Sequence, residues 1–164
     1  MPRSPIISCC FTGHRIIPTR DLQKLRYALS TEIRYLHSRG IRYFISGGAI
    51  GFDTVAAEEV LALKGELEDI HLVLAIPCLD QDAKWTPAQK EKGRRIRELA
   101  DEIIYTGQKY TSDCMHVRNR FMVDSSCVCL SYCTRQSGGT YYTVRYADQR
   151  GLSRCELSER IKAL

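Results

Sequence analysis

Ser46-Gly47-Gly48-Ala49-Ile50-Gly51-Phe52-Asp53 stands between a short apolar run, residues 42–45, and a segment of helical period, residues 53–64. A strand that leaves through glycines into a helix is the repeating unit of an α/β sheet. Glycine lets the backbone come close to a phosphate, and the exposed N–H groups with the helix dipole supply partial positive charge to receive it. Asp53 is expected to be the N-cap of that helix. A second turn of the same kind, Ser137-Gly138-Gly139-Thr140, follows residues 127–132 and opens another helix, from near Gly139 to Gly151. Either turn alone reads equally well as a tight connection; two of them are the stronger argument for a ligand.

Outward from these turns, β-rich runs at 6–11, 42–45, 70–76, 102–105 and 127–132 alternate with longer helical segments. Leu22, Leu25, Leu29, Ile33 and Leu36 form an amphipathic stripe that ends at Gly40, and residues 87–100 and 112–125 read as further helices. The pattern predicts an α/β fold: a Rossmann-like parallel sheet with helices on both faces, in a single domain. The tail at 154–157 fits an edge strand or a short helix. At 164 residues, with 44% hydrophobic and 26% charged residues, one continuous core is expected.

The formal charge of +5 raises nucleic acid as a partner, but the basic residues are spread out. The densest run, Arg94, Arg95 and Arg97, alternates with acids on what reads as a solvated helix face. Residues 1–7 hold no apolar stretch of signal-peptide length, and no segment approaches a membrane span, so the expected setting is the cytoplasm, with no membrane partner. The eight cysteines are then expected to be reduced. Cys9 and Cys10 lie in an apolar strand, and the even spacing of Cys127, Cys129 and Cys133 places them on one face of another. No pair has C-x-x-C spacing, which argues against zinc and for small core residues; no metal or cofactor is expected.

Ligands of open parallel sheets bind beyond the carboxyl ends of the strands. The residues there are Thr12-Gly13-His14-Arg15 after the first run, Ser46 to Asp53 after the second, Pro77 leading to Gln81 and Trp85 after the third, and Ser137 to Thr140 after the fifth. The candidate ligand and phosphate residues are therefore Thr12, Gly13, His14, Arg15, Ser46, Gly47, Gly48, Ala49, Gly51, Asp53, Trp85, Arg118, Gly138, Gly139 and Thr140. Neither turn matches the phosphate loop ending in Gly-Lys-Ser/Thr, and the spaced G-x-G-x-x-G is absent, so ATP hydrolysis and NAD-dependent hydride transfer lose their main support. Arg15 and Arg118 either grip a phosphate or form ion pairs across the cleft. His14 and His116 are open to ligand contact or structural hydrogen bonding. Trp85, the only tryptophan, either stacks on a base or pins its loop. No Ser-His-Asp or Cys-His constellation is discernible, and the one catalytic candidate is Arg118.

Thr12 to Arg15, Ser46 to Asp53 with Ala56, Ala57 and Glu58, Pro77 with Gln81, Trp85 and Gln89, Arg118-Asn119-Arg120 with Met122, Val123 and Asp124, and Gly138-Gly139-Thr140 together resemble the YpsA-like branch of the SLOG superfamily. The resemblance spans roughly residues 6–150. It implies a Rossmann-like fold, and the superfamily is linked to sensing or processing nucleotide-derived ligands and also includes the DNA-processing protein DprA. Met115-His116-Val117-Arg118-Asn119 followed by the glycine turn is more loosely similar to the motifs of the LOG phosphoribohydrolases, which release a base from nucleoside monophosphates using an arginine and a glutamate. Arg118 falls on the arginine, but Asn119 replaces a lysine and Thr143 occupies the glutamate position.

Thr143 cannot stabilise an oxocarbenium-like transition state or activate water, although Asp53, Glu58 or Asp124 could substitute from elsewhere in the fold. The leading expectation is a domain that binds or senses a phosphorylated nucleotide derivative of the AMP or ADP-ribose type. The rivals are LOG-type hydrolysis and DprA-like nucleic-acid binding. Signalling is expected to need a protein partner, a change of oligomeric state or sequestration of the ligand. A homo-oligomer is expected, with Arg120 and the Tyr142–Tyr146 face as contact candidates.

Overall fold

Strands and helices alternate along the whole chain: β1 Ser8–Gly13, α1 Thr19–Ser38, β2 Tyr43–Ser46, α2 Phe52–Leu63, β3 His71–Ile76, α3 Pro87–Leu99, β4 Glu102–Tyr105, α4 Cys114–Asp124, β5 Val128–Tyr132, α5 Gly138–Gln149, β6 Ser153–Glu156 and α6 Leu157–Arg160. These come from a computed structural model, which describes residues 4–164. The six strands form one sheet in the order β4-β3-β2-β1-β5-β6, and every pairing is parallel. The expected Rossmann-like α/β architecture is what is found.

Alternation along each strand divides the core between the two faces of the sheet. Cys9, Phe11, Phe44, Leu72, Leu74 and Leu130 pack with residues of α1, α2, α3 and α6. Cys10, Ile45, Val73, Ala75 and Cys129 pack with Met122 and Val123 of α4 and Ala147 of α5. The stripe seen in sequence buries Leu25, Leu29, Ile33 and Leu36 of α1, while Leu22 packs at its margin. Glu32, buried on the same face, accepts a hydrogen bond from Arg160 of α6 and so ties the C-terminal segment to α1. Helix α3 starts at a capping box, in which Thr86 Oγ1 accepts from the Gln89 N–H (3.2 Å) and Gln89 Oε1 from the Thr86 N–H (2.9 Å).

Several sequence expectations change in detail. The first strand begins at Ser8 because a short 3-10 turn, Pro5–Ile7, takes the residues before it. The tail is both things at once, an edge strand followed directly by a short helix. Cys127, Cys129 and Cys133 do not line one face: only Cys129 lies within β5, while Cys127 precedes the strand and packs towards the opposite layer and Cys133 follows it. All eight cysteines are free thiols. Arg94 pairs with Glu91 and Glu98 along the exposed side of α3, as its charge pattern suggested.

Candidate functional site

The chain runs outward from β1 through β2, β3 and β4, then returns by way of α4 to place β5 on the other side of β1. The carboxyl ends of β1 and β5 are therefore a topological switch point, where the two adjoining connections diverge and leave a crevice. A cleft of about 710 Å³ opens there. Of the sequence-predicted residues, Thr12, Gly13, His14, Arg15, Ala49, Asp53, Arg118, Gly139 and Thr140 all line it. Ser46, Gly47 and Gly51 lie behind this wall in the turn. Gly48 faces a small gap between α2 and α3, and Trp85 belongs to a neighbouring cleft of about 600 Å³.

The β2–α2 turn is committed to holding the fold. Ser46 Oγ donates to the Asp53 carbonyl (2.9 Å) and accepts from the Gly48 N–H (3.2 Å), and Asp53 Oδ2 accepts from the Ala49 N–H (3.3 Å). Two of the N–H groups offered to a phosphate by the sequence reading are thus already engaged. Gly51 has φ +80°, and a Cβ there would lie 2.2 Å from the Arg15 carbonyl oxygen, so the turn closes against the β1–α1 loop only with glycine. Gly51 is also the N-cap of α2; Asp53 sits one residue inside the first turn and is not the cap.

Arg118 does not stand free in the cleft. It is 4% exposed, and its Nη1 donates to the carbonyl oxygens of Gly47 and of Ala75 (3.2 Å), while Nε donates to Asn119 Oδ1 (2.8 Å). One guanidinium thereby ties α4 to the β2–α2 turn and to β3. The Asp53 carboxylate lies beside it: a Cβ on Gly47 would come within 2.6 Å of Arg118 Nη1 and 2.7 Å of Asp53 Oδ2. Burial pushes the Asp53 carboxyl up from its ordinary value, opposed by the Arg118 charge and the Ala49 N–H. Burial likewise lowers the Arg118 guanidinium, opposed by Asp53. The two charges compensate one another across Gly47.

His14 is a structural acceptor. Its Nε2 receives the Thr134 N–H (2.8 Å), which places the ring proton of the neutral form on Nδ1 and links the β1–α1 loop to the β5–α5 loop. Burial, reinforced by the charge of Arg135, lowers its pKa and keeps it neutral. Trp85 rests on α3 where Gly93 leaves room, since a Cβ at that position would come within 2.9 Å of its Cζ3. The His116 ring meets Tyr142 edge to face, and its Nδ1 is buried without a hydrogen-bond partner.

The β5–α5 turn is different. Ser137 makes no side-chain cap to the first N–H groups of α5, and an added Cβ at Gly138 or Gly139 would meet nothing within 4 Å. Gly139 and Thr140 reach the switch-point cleft, as do the exposed side chains of Arg15, Arg20 and Arg135. Among the described residues neither Arg15 nor Arg135 has an ion-pair partner, and Arg20 reaches only Asp21 at 3.9 Å. Arg20 and Arg135 were not among the sequence candidates; Arg135 follows β5 by three residues, so the rule that singled out the residues after each strand would have found it. Thr143 is buried, with Oγ1 donating to the Gly139 carbonyl (2.9 Å), so no carboxylate occupies that place. Among the described residues no cluster of three His, Cys, Asp or Glu side chains could hold a metal ion. No described helix is long and apolar enough to cross a membrane.

An all-parallel Rossmann-like sheet with a polar cleft at its switch point defines the class. Two solved structures share the fold: DNA processing protein A from Streptococcus pneumoniae, with TM-score 0.65 and 15% identity over 91% of this chain and 49% of that one, and its counterpart from Helicobacter pylori, with TM-score 0.64 and 18% identity over 98% and 73%. The model of the YspA SLOG family matches residues 17–157, and the chain belongs to that family. An uncharacterized SPbeta prophage-derived protein of Bacillus subtilis, YoqJ, is 31% identical over 76% of this chain and 80% of its own length. A UPF0398 protein of Halalkalibacterium halodurans is 28% identical over 65% of this chain, which spans 58% of that relative.

Proposed function

We propose that the protein binds a phosphorylated nucleotide derivative of the AMP or ADP-ribose type, with a phosphate at the N-terminus of α5. The observation that carries this reading is the combination, in one cleft, of an uncapped helix N-terminus opened by two glycines and two guanidinium groups, Arg15 and Arg135, that have no ion-pair partner among the described residues. Backbone N–H groups and the helix dipole favour an anion there, and arginine adds paired, directional donors. The cleft, at about 710 Å³, falls within the size range of small-molecule sites. Signalling from such a site would need a protein partner, a change of oligomeric state or sequestration of the ligand. The reduced thiols fit a cytoplasmic setting.

Thermal shift with AMP, ADP-ribose and their unphosphorylated nucleosides tests the reading. A ligand at one hundred times its dissociation constant adds about 2.7 kcal/mol to stability, and only phosphorylated ligands should do so. No shift with any of them would count against it.

Binding of single-stranded nucleic acid is the second reading, favoured by one specific observation. The switch-point cleft shares Arg15, Ala49 and Met115 with the cleft on its β3 side and Arg20, Asp21, Tyr132, Thr134 and Arg135 with a third on its β6 side, so adjoining clefts form a groove along this edge from β3 to β6. The Helicobacter pylori relative in fold is described for its single-stranded DNA binding mode. Affinity for a strand would fall steeply with salt, whereas that for a mononucleotide would change little. Base release from AMP, for which Asp21 and Asp53 are the carboxylates that line the cleft, is assayed directly by chromatography, and little or none is expected.

A further inference from the structure

We infer that the aromatic cleft beside the β3–α3 loop is the base chamber of the same site, so that the preferred ligand has two parts: a nucleoside diphosphate joined to a second sugar. This rests on the phosphate reading above and extends it. The two clefts, about 600 and 710 Å³, meet along a common wall that includes Arg15 and Met115. Each is ample for one half of such a ligand, and a mononucleotide would leave one of them to water.

The chemistry of the two chambers differs in the way the two halves do. The switch-point chamber presents an open helix N-terminus and guanidinium groups. The other presents Trp85 and Tyr110, two aromatic side chains whose faces suit a planar base. Trp85 lies on α3 because residue 93 is glycine, a poor choice for the middle of a helix unless something must approach closely. Gln81 also lines this chamber, and its Nε2 donates to the Gly47 carbonyl (3.2 Å), which fixes the amide against the β2–α2 turn. Arg15, exposed and without an ion-pair partner among the described residues, borders both chambers and sits where a linking diphosphate would pass.

Trp85 is the only tryptophan of the chain, so tryptophan emission, excited selectively over the nine tyrosines, reports on this chamber alone. Titrate wild type, Trp85→Phe and Trp85→Ala with ADP-ribose, AMP and ribose 5-phosphate, following emission for the wild type and thermal stability for all three proteins. ADP-ribose should quench Trp85 and bind at least tenfold more tightly than either half. Ribose 5-phosphate should stabilise the protein without quenching and should compete with ADP-ribose. Trp85→Ala should weaken ADP-ribose roughly tenfold, the scale of one lost stacking contact, and leave ribose 5-phosphate unchanged, while Trp85→Phe restores most of the loss. If ADP-ribose stabilises the protein yet leaves Trp85 emission untouched and Trp85→Ala binds it as wild type does, the base chamber is wrong and the phosphate site stands. If no phosphorylated probe stabilises the protein, both readings fall. Quenching by a single-stranded oligonucleotide alone would overturn the two-part ligand in favour of a strand in the groove.

Discussion

Replacing Arg118 with alanine should cost the fold first and any ligand only as a consequence. The buried guanidinium donates hydrogen bonds to Gly47, Ala75 and Asn119 and a longer one to the Met115 sulfur (3.7 Å), and it stands beside the buried Asp53 carboxylate. Truncation takes the charged donor from the Gly47 and Ala75 carbonyls, leaving Gly47 only its bond from Gln81, and it leaves a carboxylate without its compensating charge. Breaking a buried charged pair in this way costs about 3–5 kcal/mol. For a domain of this size each kcal/mol moves the melting temperature by roughly 2–4 °C, so a fall of about 6–20 °C is expected. Urea unfolding of Arg118→Met, Asp53→Asn and the double variant separates the causes. The double variant should lose less than the sum of the single losses, by about 0.5–3 kcal/mol, because a neutral amide at position 53 no longer carries the charge that Arg118 balances. An Arg118→Ala protein with wild-type stability that fails to bind phosphorylated ligands would refute this account and restore Arg118 to the ligand.

Lowering the pH should weaken the tie between the β1–α1 and β5–α5 loops. The folded-state pKa of His14 lies below its ordinary 6.5, so the unfolded chain takes up the proton first. That contribution to stability is complete above about pH 6.5 and declines as pH falls from there towards the folded value; His14→Gln, which keeps an acceptor but does not titrate, should flatten the pH profile measured by urea unfolding. Gly48→Ala should destabilise the protein by about 1 kcal/mol or more, since φ is +68° and its Cβ would meet Ile76 at 2.6 Å, whereas Gly139→Ala should leave the melting temperature nearly unchanged. A strong reductant should not alter the melting temperature, because the eight cysteines are free; a drop of several degrees would show a bond among them.

The strands and helices were legible because burial on both faces of a parallel sheet writes continuous apolar runs, and the stripe from Leu25 to Leu36 has one period only. The region of the site was legible for a similar reason, since residues after a strand in such a sheet gather at one edge. What sequence could not separate was the role of each glycine and arginine. Gly51 and Gly139 look alike in sequence, yet one is pressed against the Arg15 backbone and the other faces open space. Arg118 and Arg15 are both arginines beside a turn, but α4 drives the first under the sheet edge to backbone carbonyls, and the second is left in solvent. Such distinctions depend on contacts between residues far apart in the chain, Gly51 with Arg15 and Arg118 with Gly47 and Ala75, which no local pattern encodes.

We propose that a ligand's phosphate sits at the N-terminus of α5. Calorimetric titration of Gly139→Val with ADP-ribose, beside wild type, tests it most directly, with circular dichroism to establish that the variant is folded. A Cβ there would meet nothing within 4 Å, and the branched side chain beyond it would occupy the approach to the first N–H groups of the helix. A phosphate held there requires a folded variant with near wild-type stability and no measurable binding; a folded variant that binds ADP-ribose as tightly as wild type would put the phosphate elsewhere.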